Sequence, residues 1–229
     1  DLNGRILRTI GDPMVRFRED PVRILRAIKF AARLDFAIET QSLTALRQET
    51  GLLARAAVPR LYEELIRMLR GGASRKSVQL MCEYGVFELL VPEVFALIPV
   101  DDTVLKVGRL GALLDALDRL IPEKRRVSNS VALAALFWPV AAILLENGQG
   151  YRGPQQFRVF AKTLLHGFAR RLAVPRRTME SLIALMDSHF RVERISRRRS
   201  ARSAFSRTPY YRDACQFAEL RYRARDLDE

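Results

Sequence analysis

Asp20, Arg23, Arg26 and Lys29 recur every third residue in the stretch Arg16-Phe-Arg-Glu-Asp-Pro-Val-Arg-Ile-Leu-Arg-Ala-Ile-Lys29. On a helix of about 3.6 residues per turn, a step of three moves a side chain by about 60° around the axis. Asp20, Arg23 and Arg26 then share one broad face, and Lys29 drifts toward its edge. A carboxylate that accepts and a guanidinium that donates, one turn apart, match the mixed hydrogen-bonding edge of a nucleobase. The next cation can hold a phosphate. The same spacing also suits a ladder of solvated i,i+3 ion pairs, which is the commoner use of such a pattern.

Such a reader needs a helix beneath it. Val22, Leu25, Ile28, Ala32 and Leu34 recur roughly every three or four positions with no Gly or Pro between them, which predicts a helix over Asp20–Phe36. Asp20 suits its N-cap and Pro21 its first turn. Further helices are expected over Thr40–Thr50, Pro59–Leu69, Ser74–Tyr84, Thr103–Leu120, Ser130–Leu145, Gln155–Leu172, Arg176–Phe190, Arg198–Phe205 and Tyr210–Arg225. Strand-type alternation is nearly absent, so the expected class is all-α. Pro99 and the acidic pair after it place a joint near Ile98–Asp102, dividing residues 1–98 from 99–229. A weaker, Gly-rich break spans Asn147–Pro154.

The balance of 39 Lys+Arg against 26 Asp+Glu gives a net charge of +13 and points to a polyanionic partner. About nine in ten of the basic residues are arginine, the better fork for phosphates and for stacking on bases. Eleven arginines crowd residues 191–225. Among them Arg197, Arg198, Arg199, Arg202 and Arg207 are candidates for tracking the phosphates of a nucleic-acid backbone. Tyr210, Phe217 and Leu220 read as core positions of the last helix, not as stacking platforms.

Two cysteines and two histidines, widely scattered, make no metal cage. Cys82 and Cys215 read as small buried hydrophobes, Phe137 and Trp138 as core, and His166 and His189 lack evident partners. The apolar run Val131–Leu145 looks too short to span a bilayer, and residues 1–9 lack the apolar core of a signal peptide. No membrane partner and a reduced cytoplasmic setting are expected.

The pattern Thr9-Ile-Gly-Asp-Pro13, then Arg16-Phe17, Glu19-Asp-Pro-Val-Arg23 and Leu25-Arg-Ala27, closely resembles the neck of the class II nucleotidyltransferases. These are the bacterial poly(A) polymerases and CCA-adding enzymes. By that resemblance Glu19, Asp20 and Arg23 form the Glu-Asp-x-x-Arg motif, in which the Asp and Arg pair with the base of an incoming nucleotide. It also implies that Arg26 and Lys29 help hold the nucleotide. Arg60 to Gly72 is similar to the next neck helix, where an Arg and a Glu brace the reader; Arg60 and Glu64 take those places, with Glu63 as the alternative.

Val131–Pro139, Ala169–Arg177 and Arg197–Phe205 resemble the body and tail of the polyadenylating branch. The implied activity is ATP-dependent addition of poly(A) to single-stranded RNA 3′ ends, with CCA addition to tRNA and a non-catalytic RNA-binding module as alternatives. Family members use two Mg²⁺ held by an Asp-x-Asp pair in a preceding head domain. Asp226-Leu-Asp228, at the end of the chain and without a Gly-Ser loop, is expected to be a solvated tail. No catalytic or metal-binding residue is therefore assigned here, and this chain alone is expected to be inactive.

Overall fold

A computed structural model describes residues 1–96, 109–123, 125–146, 153–195 and 205–225, the side chains of 192–195 excepted. The expected joint at Ile98–Asp102 lies outside the described residues. So does most of the Gly-rich break, residues 147–152.

The chain opens on a two-residue strand, β1 (Ile6–Leu7), which pairs in parallel with β2 (Ala37–Ile38), Ile6 opposite Ala37 and Leu7 opposite Ile38. Between them lie α1 (Pro13–Glu19) and α2 (Val22–Leu34). The sequence pattern does not foresee α1. It buries only Phe17, too little to make a periodic signal, but its start is well specified. Asp12 caps it by accepting from the N–H groups of Met14 at 2.8 Å and Val15 at 3.3 Å, and Pro13 fills the first turn.

Helices α1 and α2 do not merge because a proline ring disfavours helical backbone in the residue before it. Asp20 accordingly takes φ −146°, ψ 90°, and the second helix starts at Val22, slightly later than the sequence suggests. Val22, Ile24, Leu25, Ile28, Ala31 and Ala32 bury its inner face. At its far end Asp35 adopts a left-handed φ of 56°, and Phe36 N–H closes back on the Ala31 carbonyl at 3.1 Å.

The first half continues with α3 (Thr40–Glu49), a 3₁₀ turn (Thr50–Arg55), α4 (Val58–Leu69), α5 (Ser74–Glu83), α6 (Val86–Leu90) and α7 (Pro92–Phe95). Helices α2, α4 and α5 pack on one another through Leu25, Ile28, Leu65, Leu69 and Val78. The second half holds α8 (Arg109–Arg119), α9 (Asn129–Glu146), α10 (Pro154–Arg171), α11 (Arg176–Ile195) and α12 (Tyr211–Arg225).

The apolar run expected to be too short for a bilayer belongs to the 18-residue α9, which by length and composition alone could cross one. Within the protein 72% of it is buried. It is a core helix, wrapped by α8, α11 and α12 and touching α4 and α7. One apolar cluster runs from Phe17 and Val22 through Leu113 and Phe137 to Leu220, crossing the 98/99 boundary.

A polar contact ties the two halves together. The Asp118 carboxylate of α8 accepts from the N–H groups of Ser74 at 2.7 Å and Arg75 at 3.1 Å, capping α5 from a distance. Burial pushes the Asp118 carboxyl above its ordinary range, and these N–H bonds oppose that shift only in part.

Candidate functional site

Asp20 stands where α1 gives way to α2, and its extended backbone aims the carboxylate at α4. Arg60, in the first turn of α4, donates to Oδ2 at 2.7 Å, and Arg23 Nε lies 3.8 Å from the same oxygen. Oδ1 accepts from the Val22 N–H at 3.3 Å. The side chains of Asp20 and Arg23 remain 17% and 34% exposed, so neither is sealed from solvent. A carboxylate has about four lone-pair sites, which leaves acceptor capacity here for an incoming group. Burial raises the Asp20 carboxyl, but the Arg60 hydrogen bond and charge outweigh it and hold the group below its ordinary range.

One turn further on, Arg26 and Lys29 both turn to Glu64 of α4. Arg26 Nε donates to Oε1 at 3.2 Å, and Lys29 Nζ to Oε2 at 2.5 Å. Arg67 Nη1 lies 3.5 Å from Oε1. Lys29 thus joins Arg26 on one acceptor instead of drifting to the edge. The Glu64 side chain is 3% exposed. Burial alone would raise its pKa, yet the hydrogen bonds and charges of Lys29 and Arg26 set it below the ordinary range. Glu63 points away, 63% exposed and 3.4 Å from Arg67. Arg67 is the member of this cluster that the motif did not flag, although its position three residues after Glu64 was a readable sign.

The remaining candidates are dispersed. Glu19 pairs with Arg16 at 2.7 Å at the end of α1 and does not meet Arg23. Arg207 is exposed in the turn before α12. Arg197, Arg198, Arg199 and Arg202 lie outside the described residues, as do Asp226 and Asp228. Phe217 and Leu220 are buried, and Tyr210 packs edge-on against Phe205.

Cys215 is exposed, contrary to its reading as a buried hydrophobe. Ala214, Phe217, Leu220 and Ala224 form the inner face of α12 and leave position 215 outside. Cys82 is partly buried, and desolvation pushes its thiol up to about 12. His189 does have neighbours, its ring 5.1 Å from that of Trp138 in an edge-on contact. Trp138 is itself in the core, with the Arg221 guanidinium 4.1 Å above its ring. Among the described residues, no group of three His, Cys, Asp or Glu could hold a metal ion.

Residues 35–98 match a family model described as the probable RNA and SrmB-binding site of polymerase A. The chain is 33% identical over 180 residues to poly(A) polymerase I of Haemophilus influenzae, covering 77% of this chain and 40% of that relative. It is 38% identical over 90 residues to the CCA-adding enzyme of Lactococcus lactis subsp. cremoris, covering 39% and 22%. The chain therefore spans well under two thirds of the relatives it matches. Its fold is similar to that of a tRNA nucleotidyltransferase solved with a primer tRNA and an incoming ATP analogue, with a TM-score of 0.60 and 22% identity over 98% of this chain and 61% of the other.

Proposed function

From its membership of the family that unites bacterial poly(A) polymerases and CCA-adding enzymes, to which this chain belongs, we propose that it is the base-selecting, RNA-handling part of a polynucleotide adenylyltransferase. The whole protein would use ATP to extend RNA 3′ ends. The observation that carries this reading is the Asp20–Arg23 pair, partly open to solvent and braced from behind by Arg60.

The Watson–Crick edge of adenine presents an amino donor beside a ring-nitrogen acceptor. Asp20 can accept from the amino group while Arg23 donates to the ring nitrogen. Guanine and uracil present a carbonyl beside an N–H, which would set acceptor against acceptor and donor against donor. They are rejected because a desolvated polar group left unpaired costs about 1–3 kcal/mol. Cytosine shows the same donor–acceptor order as adenine, so this pair separates A and C from G and U. Preference for A over C then rests on the longer purine reaching the pair.

The polyadenylating branch is favoured over CCA addition because the match to a poly(A) polymerase runs over 180 residues, against 90 for the CCA-adding enzyme. The described carboxylates nearest the reader, Asp20 and Glu64, are engaged by arginines and a lysine and do not form a cation-binding pair. No step through a metal is assigned to these residues. The arginine-rich tail is assigned to the RNA backbone on its composition.

Primer extension by the full-length protein on an oligo(A) primer tests the reading, with ATP and CTP offered separately. Incorporation of A with little C is expected. Efficient addition of C would place the protein in the CCA-adding branch instead.

A further inference from the structure

Arg23, Arg26, Phe30 and Arg33 follow one another at steps of three, four and three along α2. At 100° per residue they fall within a sector of about 80°, one stripe running from the base reader to the far end of the helix. Where the stripe meets the end of α4 it opens into a groove of about 470 Å³, lined by Lys29, Phe30, Arg33, Arg67 and Arg70 among others. Among the described residues no carboxylate lines this groove.

Its cations are unevenly matched. Lys29 is committed to Glu64, and Arg67 lies near Glu63 and Glu64. Arg70 donates to the amide oxygen of Asn129 at 2.7 Å, a neutral partner that leaves its charge uncompensated. Arg33 is exposed and meets no carboxylate among the described residues. Between them Phe30 is 42% exposed, with Lys29 Nζ 4.9 Å from its ring centre and the rest of the ring left in water. Two guanidinium groups without counter-charges, Arg33 and Arg70, beside a half-exposed aromatic ring suit a nucleic-acid strand, whose phosphates meet the guanidinium groups while a base stacks on the exposed part of the ring.

We propose that this groove holds the backbone of single-stranded RNA upstream of its 3′ end, with Phe30 stacking on a base. The inference rests on the reading above, in which the 3′ end lies near Asp20 and Arg23; Arg67 and Arg70 fall inside the matched segment 35–98, and the groove extends it by Phe30 and Arg33 of α2, which lie outside that segment. Ten residues of helix separate Arg23 from Arg33, about 15 Å, a length that roughly four stacked nucleotides would cover.

Fluorescence anisotropy with labelled oligo(A), over a range of salt concentrations, tests the groove on the 229-residue chain. Arg33→Ala and Arg70→Ala should each reduce the salt slope by about 0.7, and the double variant by about 1.4. Phe30→Ala should weaken binding about tenfold, and Phe30→Trp should restore it. Thermal melting accompanies each variant; Phe30 and Arg33 are exposed, so their replacement should leave it unchanged. ATP affinity, measured separately, should be unaltered in all of them.

An oligo(A) affinity and salt slope that survive the double arginine substitution would overturn the groove and leave the proposed function standing. Loss of ATP binding in place of RNA binding would make it a triphosphate pocket, also against the proposal. Absence of oligo(A) binding by the unaltered chain would remove the RNA-handling reading itself, and the groove with it.

Discussion

Arg60 Nη2 sits 2.7 Å from Asp20 Oδ2 and draws together two residues forty positions apart, from the junction before α2 and the first turn of α4. The bond occupies one oxygen of the carboxylate and fixes its plane. What a base would meet is therefore a pre-oriented acceptor, and pre-orientation lowers the entropic cost of recognition.

Replacing Arg60 with Ala should free that carboxylate without disturbing the fold, since the arginine side chain is 45% exposed. We expect binding of ATP to weaken by roughly tenfold, with discrimination against GTP falling in parallel. Equilibrium binding of the four nucleotides checks this. Unchanged selectivity in Arg60→Ala would mean that the orientation of Asp20 is set elsewhere.

Glu64 should behave differently, because it is buried and gathers three cations. Glu64→Ala leaves Arg26 and Lys29 facing each other across an empty site. Breaking a buried pair costs about 3–5 kcal/mol, and because Arg26 and Arg67 reach solvent we expect about 2 kcal/mol here. Chemical denaturation gives the number directly. A variant as stable as the parent would show that the cluster contributes nothing to the fold.

The same two carboxyls set a pH dependence. Folded Asp20 and Glu64 lie below their ordinary values of 3.8 and 4.5. Their contribution is complete above those unfolded-state values and is lost as the pH falls through the lower, folded ones. Melting temperature should thus hold steady above about pH 5 and drop below it, with part of the drop missing in Glu64→Gln. A drop of the same size in that variant would assign the acid sensitivity to other groups.

Asp187 has the opposite sign. It is buried, Oδ2 meets Arg158 at 3.1 Å, and Oδ1 has no hydrogen-bond partner. Burial raises its pKa although Arg158 and Arg191 oppose the shift, so the ionised form weakens the fold as pH rises through the folded value. Asp187→Asn should melt no lower than the parent at pH 7. A clear loss of stability there would show that the pair with Arg158 outweighs the burial of the charge.

The arginine-rich tail supplies a prediction that rests on sequence. If about four of Arg197, Arg198, Arg199, Arg202 and Arg207 each neutralise one phosphate, the tail alone contributes roughly −3 to the slope of log affinity for single-stranded RNA against log salt. Replacing Arg197, Arg198 and Arg199 together should reduce that slope by about 2. A flat salt dependence in the parent would exclude the tail from RNA binding.

What the sequence discloses follows the range of each signal. Long amphipathic helices such as α2 and α4 are legible because a stripe such as Val22, Leu25 and Ile28 repeats over several turns. Short ones are not: α1, α6 and α7 each expose too few periods to register. The motif Glu19-Asp20-x-x-Arg23 singles out the pair proposed as the reader, but local spacing could not show that Lys29 and Arg26 converge on Glu64, more than thirty residues away in sequence. Nor could composition place Cys215 on the outer face of its helix, since one residue of phase decides that. The groove beside Phe30 is invisible in one dimension because α2 and α4 build it jointly.

The carboxylate that Asp118 lends to the start of α5 means that α8 finishes a helix begun more than forty residues before it. Neither α5 nor α8 can tilt alone without parting two amide N–H groups from their acceptor. A frame clamped in this way makes a poor ratchet and a good anvil.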